Sequence, residues 1–194
     1  MTPRNGYHHG DLRNALLTAT MDVVRERGPR GLSVSEVARR AGVSTAAPYR
    51  HFAGKDALLA AVAQKGFIEL EHRFSGLALG PTLEARAIGI AAAYTEFAQE
   101  DPARFDVMFA AGLDKDSHRD LLRQAERVQG QLEAALAPFI VPEQLVQRSA
   151  ELWAIAHGVT ALALAGSFAH VADAQQVGEV AASAAAAWAN GLAG

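Results

Sequence analysis

The run from Ser33 to Ser44 constrains this chain more than any other. Ser33 followed three places on by Glu36 is a capping box: the hydroxyl accepts from a free backbone N–H of the first turn while the carboxylate reaches back to the cap. A helix therefore starts at Ser33, with Val34, Val37, Ala38 and Ala41 as a narrow buried face. Gly42 ends it in a tight turn, and Ser44 caps a further short helix. Two short helices around a glycine-centred turn cross closely, so Ala38 sits where a larger side chain would push them apart and Val43 plugs the turn from below. Many helical hairpins share this pattern; it fixes a local shape and leaves function open.

The flanking segments read as helix throughout. Leu12, Leu16, Ala19 and Val23 recur at i, i+4, i+7 and i+11, which predicts a first helix from Asp11 to about Arg27, stopped by Gly28-Pro29. Lys55 opens a long helix with Leu59, Ala63, Phe67, Leu70 and Phe74 on one face. Leu77 to Thr82 is a turn-rich break. Beyond it lie amphipathic stretches from Thr82 to Glu100, Asp101 to Phe109, Asp116 to Ala137, Pro142 to Phe168 and Ala174 to Leu192. No strand-like alternation and no internal repeat appears, so the expected fold is all-α, about nine helices: a three-helix head joined by a long fourth helix to an all-helical C-terminal domain. The working division is 1–56 and 57–194.

Charge divides the chain in the same way. Residues 1–55 carry nine Lys/Arg against four Asp/Glu, whereas the remainder carries nine against seventeen, although the net charge is only −3. A cationic head that faces nucleic-acid phosphates on an acidic body has this asymmetry, and so has a solvated basic face on a small helical domain. No apolar run reaches the roughly 18 residues of a membrane span, and the first residues lack the apolar stretch of a secretory signal, so the expected location is the cytoplasm, with no membrane partner. The absence of cysteine excludes disulfides, thiolate metal sites and cysteine nucleophiles.

Against this background the stretch GLSVSEVARRAGVSTAAPYRHFAGKDALLAAV, Gly31 to Val62, closely resembles the DNA-binding head of the tetracycline-repressor (TetR/AcrR) family. Tyr49, His51-Phe52 and Lys55-Asp56 all fall at the family spacing behind Gly42-Val43-Ser44. Further on, Trp153 to Gly158, following Pro102 to Phe109, looks like the WHG group of TetR-type sensor domains.

The resemblance implies a helix-turn-helix whose recognition segment enters the major groove of double-stranded DNA, with Ser44, Thr45, Ala46 and Ala47 near base edges and Ser35 as a further base-approaching position. These side chains are small, so the expected readout is methyl contact with thymine, one or two hydroxyl contacts and DNA shape. Phosphate contacts fall to Tyr49, His51 and Lys55, with Ser33 and Arg50 as secondary candidates. Tyr49 is expected to pack its ring in the head's core while its hydroxyl reaches the DNA backbone. Pro48 replaces the usual aliphatic residue; with Ser44 as cap it removes only the first intrahelical hydrogen bond.

In the C-terminal domain Tyr94, Phe97, Phe105, Met108, Phe109, Trp153 and His157 are the bulky groups that either line an effector pocket or form plain core. His157 is likewise a satisfied core histidine or a ligand's hydrogen-bond partner. The resemblance further implies a homodimer through the last two helices, whose Ala156, Ala161, Ala163, Ala165, Gly166, Ala181, Ala184 and Ala187 are expected to be exposed for close helix approach. The function it implies is a repressor released from a pseudo-palindromic operator by a small hydrophobic or aromatic effector. The competing reading is an effector-independent DNA-binding protein acting architecturally or through a protein partner.

Catalysis is not expected. The sequence has no glycine-rich phosphate loop and no metal-ligand pair at helical spacing, and no cofactor or metal is foreseen. His8-His9 are adjacent ligands at best, and Asp56, Glu69, Glu71 and His72 read as an exposed charge run.

Overall fold

The computed structural model describes residues 9–109, 113–114, 117–168 and 176–192, and among them every regular element is helical. The α-helices are α1 (His9–Arg27), α2 (Val34–Arg40), α3 (Lys55–Ser75), α4 (Leu83–Glu100), α5 (Pro102–Phe109), α6 (Arg119–Leu136), α7 (Pro142–Leu164) and α8 (Gln176–Gly191). Two 3-10 turns, Pro29–Gly31 and Pro48–Arg50, complete the set. The chain forms two compact units, one of residues 1–66 with 103–122 and one of 67–102 with 123–194.

In the first unit α1 buries Leu16, Val23 and Val24. Thr20 is fully buried among them and donates its hydroxyl to the Leu16 carbonyl at 2.8 Å, which satisfies a polar group that no solvent reaches. The helix stops where the sequence says: Gly28 takes φ +68° and donates to the Val24 carbonyl at 2.8 Å, and Pro29 opens the first 3-10 turn.

Ser33 caps α2 by accepting from the Glu36 N–H at 3.3 Å, but the capping box is only half used. The Glu36 carboxylate turns to Arg39 and Arg40. At the other end Gly42, at φ +68°, donates to the Arg39 carbonyl (3.2 Å) while Val43 donates to that of Ala38 (3.0 Å). This paired closure is a Schellman motif, and it requires a left-handed residue at Gly42. Val37 and Ala38 are fully buried.

The segment after Ser44 differs from the expected short α-helix. Ala47 donates to the Ser44 carbonyl (3.0 Å), Arg50 to that of Ala47 (3.2 Å), and His51 and Phe52 both to that of Pro48 (2.9 Å each). Pro48 has no N–H to give to the Ser44 carbonyl, so that carbonyl pairs one residue earlier and the segment winds as 3-10 turns. From Lys55 the 21-residue α3 rises about 30 Å, burying Leu58, Leu59, Val62 and Ala63, then Phe67 and Leu70.

In the second unit Thr82 caps α4 by accepting from the Ala85 N–H at 3.1 Å. α8 lies against α4 and buries Val177, Ala181, Ala185 and Ala189, four residues apart, while α4 buries Ala87, Ile90 and Ala91. Small side chains on both helices let the backbones approach. α7 packs on both, burying Ser149, Leu152, Ala156 and Thr160. Two expectations change here. Ala156 and Ala181 are buried within the chain, not exposed for a partner, because the apolar face of their own helices needs them against α4. α7 also ends at Leu164, short of Phe168: Gly166, at φ +74°, donates to the Ala163 carbonyl (2.9 Å) and Ser167 to that of Leu162 (2.9 Å), a second Schellman closure. The expected starts at Asp116 and Ala174 lie outside the described residues, as does His8.

Candidate functional site

The residues that the sequence points toward DNA gather on the outside of the first unit. Ser33 and Ser35, at the start of α2, are exposed and their hydroxyls stand 3.4 Å apart. Ser44, Thr45 and Ala46 are exposed on the turn between α2 and Pro48, and Ala47 is half-buried. Tyr49 and Arg50 project from the 3-10 turn, and His51 is half-buried behind them. Tyr49 departs from its expected double role: 59% of it is exposed, so its ring does not close the core. Pro48, buried, and Phe52, 6% exposed, take that place. The 3-10 winding turns successive side chains by a third of a revolution, which sends Tyr49 outward between them.

Lys55 stands at the first position of α3 and donates its ammonium to the Arg30 carbonyl at 2.8 Å. An ammonium has three protons, so this bond fixes the side chain beside the 3-10 turn and leaves donors for a phosphate oxygen. The Arg13 guanidinium lies 5.3 Å from the Phe52 ring centroid, a further cation on the head that the sequence reading did not single out.

Ion pairs hold α2 against α1. The Glu36 carboxylate receives Arg39 in a two-pronged contact (2.9 and 2.8 Å) and Arg40 at 3.1 Å, while Arg40 also pairs with Glu26 of α1. Hydrogen bonds from Arg39 and Arg40 pull the Glu36 carboxyl down to about 2, and the Arg40 bond also lowers that of Glu26. Arg39 and Arg40 of the cationic head are thus partly committed to carboxylates of the head itself, whereas Arg50 is exposed on the recognition turn. The Glu36–Arg40 link follows from i,i+4 spacing; the Glu26–Arg40 link joins residues fourteen apart and has no local signature.

The seven bulky candidates of the C-terminal half fall into two groups. In the second unit the Tyr94 hydroxyl lies 2.8 Å from His157 Nδ1, with the rings edge to face at 6.1 Å, and Trp153 tilts over the His157 ring at 5.3 Å. The Trp153 indole N–H, which only donates, also bonds the Tyr94 hydroxyl. Which of Tyr94 and His157 Nδ1 donates in this bond depends on the imidazole tautomer. Burial raises the Tyr94 pKa, opposed by the Trp153 bond, so the phenol stays protonated. Trp153 keeps 41% of its surface exposed, and Phe97 is buried with the Arg73 guanidinium 6.0 Å from its ring centroid. In the first unit Phe105 and Met108 are buried and Phe109 is half-buried, with the two phenyl rings 4.8 Å apart. Among the described residues no cluster of three or more His, Asp or Glu is arranged to hold a metal, and no helix is long and apolar enough to cross a membrane.

A helix-turn-helix with an exposed recognition turn, followed by a long continuous helix into an all-helical second unit, defines a DNA-binding transcriptional regulator. Residues 16–62 match the family described as bacterial regulatory proteins, tetR family, and residues 87–186 match the tetracyclin repressor-like C-terminal domain. The chain is 31% identical over 142 residues to the HTH-type transcriptional regulator BetI of Brucella melitensis, covering 71% of this chain and 69% of that one. Among solved structures, a Rhodococcus sp. RHA1 protein of unknown function superposes with a TM-score of 0.77 at 29% identity, over 97% of this chain and 98% of that chain. A transcriptional regulator from the same organism superposes with a TM-score of 0.74 at 23% identity, over 92% and 96%, a likeness of fold alone. The chain belongs to the TetR family of transcriptional regulators.

Proposed function

We propose that the chain is a homodimeric repressor that holds a pseudo-palindromic operator and lets go when a small hydrophobic or aromatic effector binds the C-terminal domain. Residues 1–56 supply DNA contact and 57–194 effector binding and dimerisation. The observation that carries the DNA half is the exposed turn: Ser44, Thr45 and Ala46 offer short groups to base edges, flanked by Tyr49, Arg50 and Lys55 for phosphates. Dimerisation is supported by α7, which leaves Val146, Leu162 and Leu164 exposed although it is otherwise a core helix. Two heads about 34 to 36 Å apart would then read successive major grooves.

The Tyr94–His157–Trp153 cluster supports the effector half, because it combines a half-exposed indole face with an imidazole held in place by the Tyr94 hydroxyl. An aromatic ring stacked on Trp153 fits that arrangement. Effector binding would favour a dimer with a different head spacing and so depopulate the DNA-competent state. The test is release of a selected operator, followed by fluorescence anisotropy, across a panel of neutral aromatic compounds. Trp153→Ala is expected to abolish the response while leaving operator affinity within a few fold. Early melting of that variant would make Trp153 core, and a panel with no active compound would favour the architectural or partner-dependent reading.

A further inference from the structure

The cations of the head are not equivalent. Of the nine Lys and Arg in residues 1–55, Arg4 lies outside the described residues. Arg25 pairs with Asp22 at 3.5 Å and Arg27 with Glu36 at 3.7 Å, while Arg39 and Arg40 are held by Glu36 and Glu26. Lys55 is tied to the Arg30 carbonyl. Arg13, Arg30 and Arg50 differ from these: among the described residues no carboxylate pairs with any of them. Arg50 projects from the recognition turn, but Arg13 belongs to another element, the second turn of α1, where it is exposed.

The Arg13 guanidinium lies over the Phe52 ring, 5.3 Å from its centroid. Phe52 is buried and its N–H is bonded to the Pro48 carbonyl at 2.9 Å, so the ring is a fixed floor at the end of the recognition turn, next in the chain after Tyr49, Arg50 and His51. An arginine that only shields an aromatic ring covers it with the hydrocarbon stem and turns its charge to bulk water. Here the charged group itself sits on the ring. The ring face attracts the cation through its quadrupole, yet it occupies none of the five N–H donors as an oxygen acceptor would. α1 therefore holds an oriented, exposed guanidinium, with its donors available, beside the segment that meets the DNA backbone.

We propose that Arg13 is a further DNA contact of the head, donating to a backbone phosphate from α1 while Phe52 keeps its guanidinium in place. Arg13 precedes residues 16–62, the stretch that matches the tetR family, and the other proposed phosphate contacts all lie within that stretch. The base-facing Ser44, Thr45 and Ala46 stand at the opposite end of the turn from Phe52, so Arg13 meets the backbone and reads no base. Its contribution is sequence-independent affinity through counterion release. The inference rests on the helix-turn-helix reading of the first unit and on nothing in the second, so it holds with or without an effector.

The experiment is a salt titration by fluorescence anisotropy of the full chain on a labelled random-sequence duplex and on the selected operator, at a temperature where every variant is folded by circular dichroism. Arg13→Met keeps an apolar cover on Phe52 while removing the charge, and Arg25→Met, on the same helix at a residue paired with Asp22, controls for charge alone. Arg13→Met is expected to lower the slope of log affinity against log salt by roughly one per head and to weaken binding several fold on both duplexes. Arg13→Lys should keep the slope, because an ammonium still displaces a counterion, and Arg25→Met should match the parent. An unchanged slope in Arg13→Met, an equal fall in Arg25→Met, a lost slope in Arg13→Lys, or weakening confined to the operator would each overturn the proposal. Failure of the parent to bind either duplex would instead bring down the helix-turn-helix reading, and this contact with it.

Discussion

Lys55 and Tyr49 carry opposite lessons about reading single residues. Lys55 is held beside Arg30 by a bond to its carbonyl, an arrangement that prepares a phosphate donor rather than consuming it. Lys55→Ala is expected to weaken DNA binding about equally on all sequences and to lower the slope of log affinity against log salt by roughly one per head; salt titrations by anisotropy read this directly. Tyr49 looked from the sequence like part of the core, because aromatic rings in small domains usually are, and the outward turn given by Pro48 was not local information. Since most of the ring is exposed, Tyr49→Phe should leave the melting temperature nearly unchanged while weakening DNA binding several fold. Tyr94→Phe should behave in the reverse manner: the hydroxyl it loses serves His157 and Trp153 in a buried setting, so stability should fall by about 1–2 kcal/mol in denaturant titration with DNA affinity little altered.

At the scale of elements, what was legible was what is local. The stop at Gly28-Pro29, the cap at Ser33 and the turn at Gly42 each depend on a residue's own backbone preference and on neighbours within a few positions. The winding after Ser44 was half legible: Pro48 was visible as a missing donor, but its effect on every bond from Ala47 to Phe52 needed the carbonyls placed in space. The end of α7 at Gly166 was present in the sequence and passed over, because apolar periodicity continues beyond it. The brace between α1 and α2 was hidden by distance along the chain, and it makes a pH prediction. Glu36 titrates near 2 in the folded chain against an ordinary value near 4.5, so its contribution to stability is complete above about 4.5 and is lost as the pH falls from there through 2. Thermal melts followed by circular dichroism should show Glu36→Gln less stable than the parent at neutral pH, with the difference vanishing toward pH 2.

For the whole molecule, the alternation of small and apolar residues in the last two helices was legible as close packing, but not as to which partner is packed. Ala156 and Ala181 are buried within their own chain, and on the dimeric reading proposed above the exposed apolar residues of α7 are what is offered to a second copy. Val146→Glu combined with Leu162→Glu should convert a dimer to monomers in sedimentation velocity while leaving the helical content intact.

The central claim is that this chain reads DNA as a symmetric pair of heads through the turn after α2. Selection of random duplexes by the purified full chain at fixed physiological salt tests it most directly. The account predicts recovery of a pseudo-palindrome with half-sites about one helical turn apart, lost when Ser44 and Thr45 are both replaced by glycine. Recovery of no preferred sequence, or of a single half-site without its symmetric mate, would contradict it.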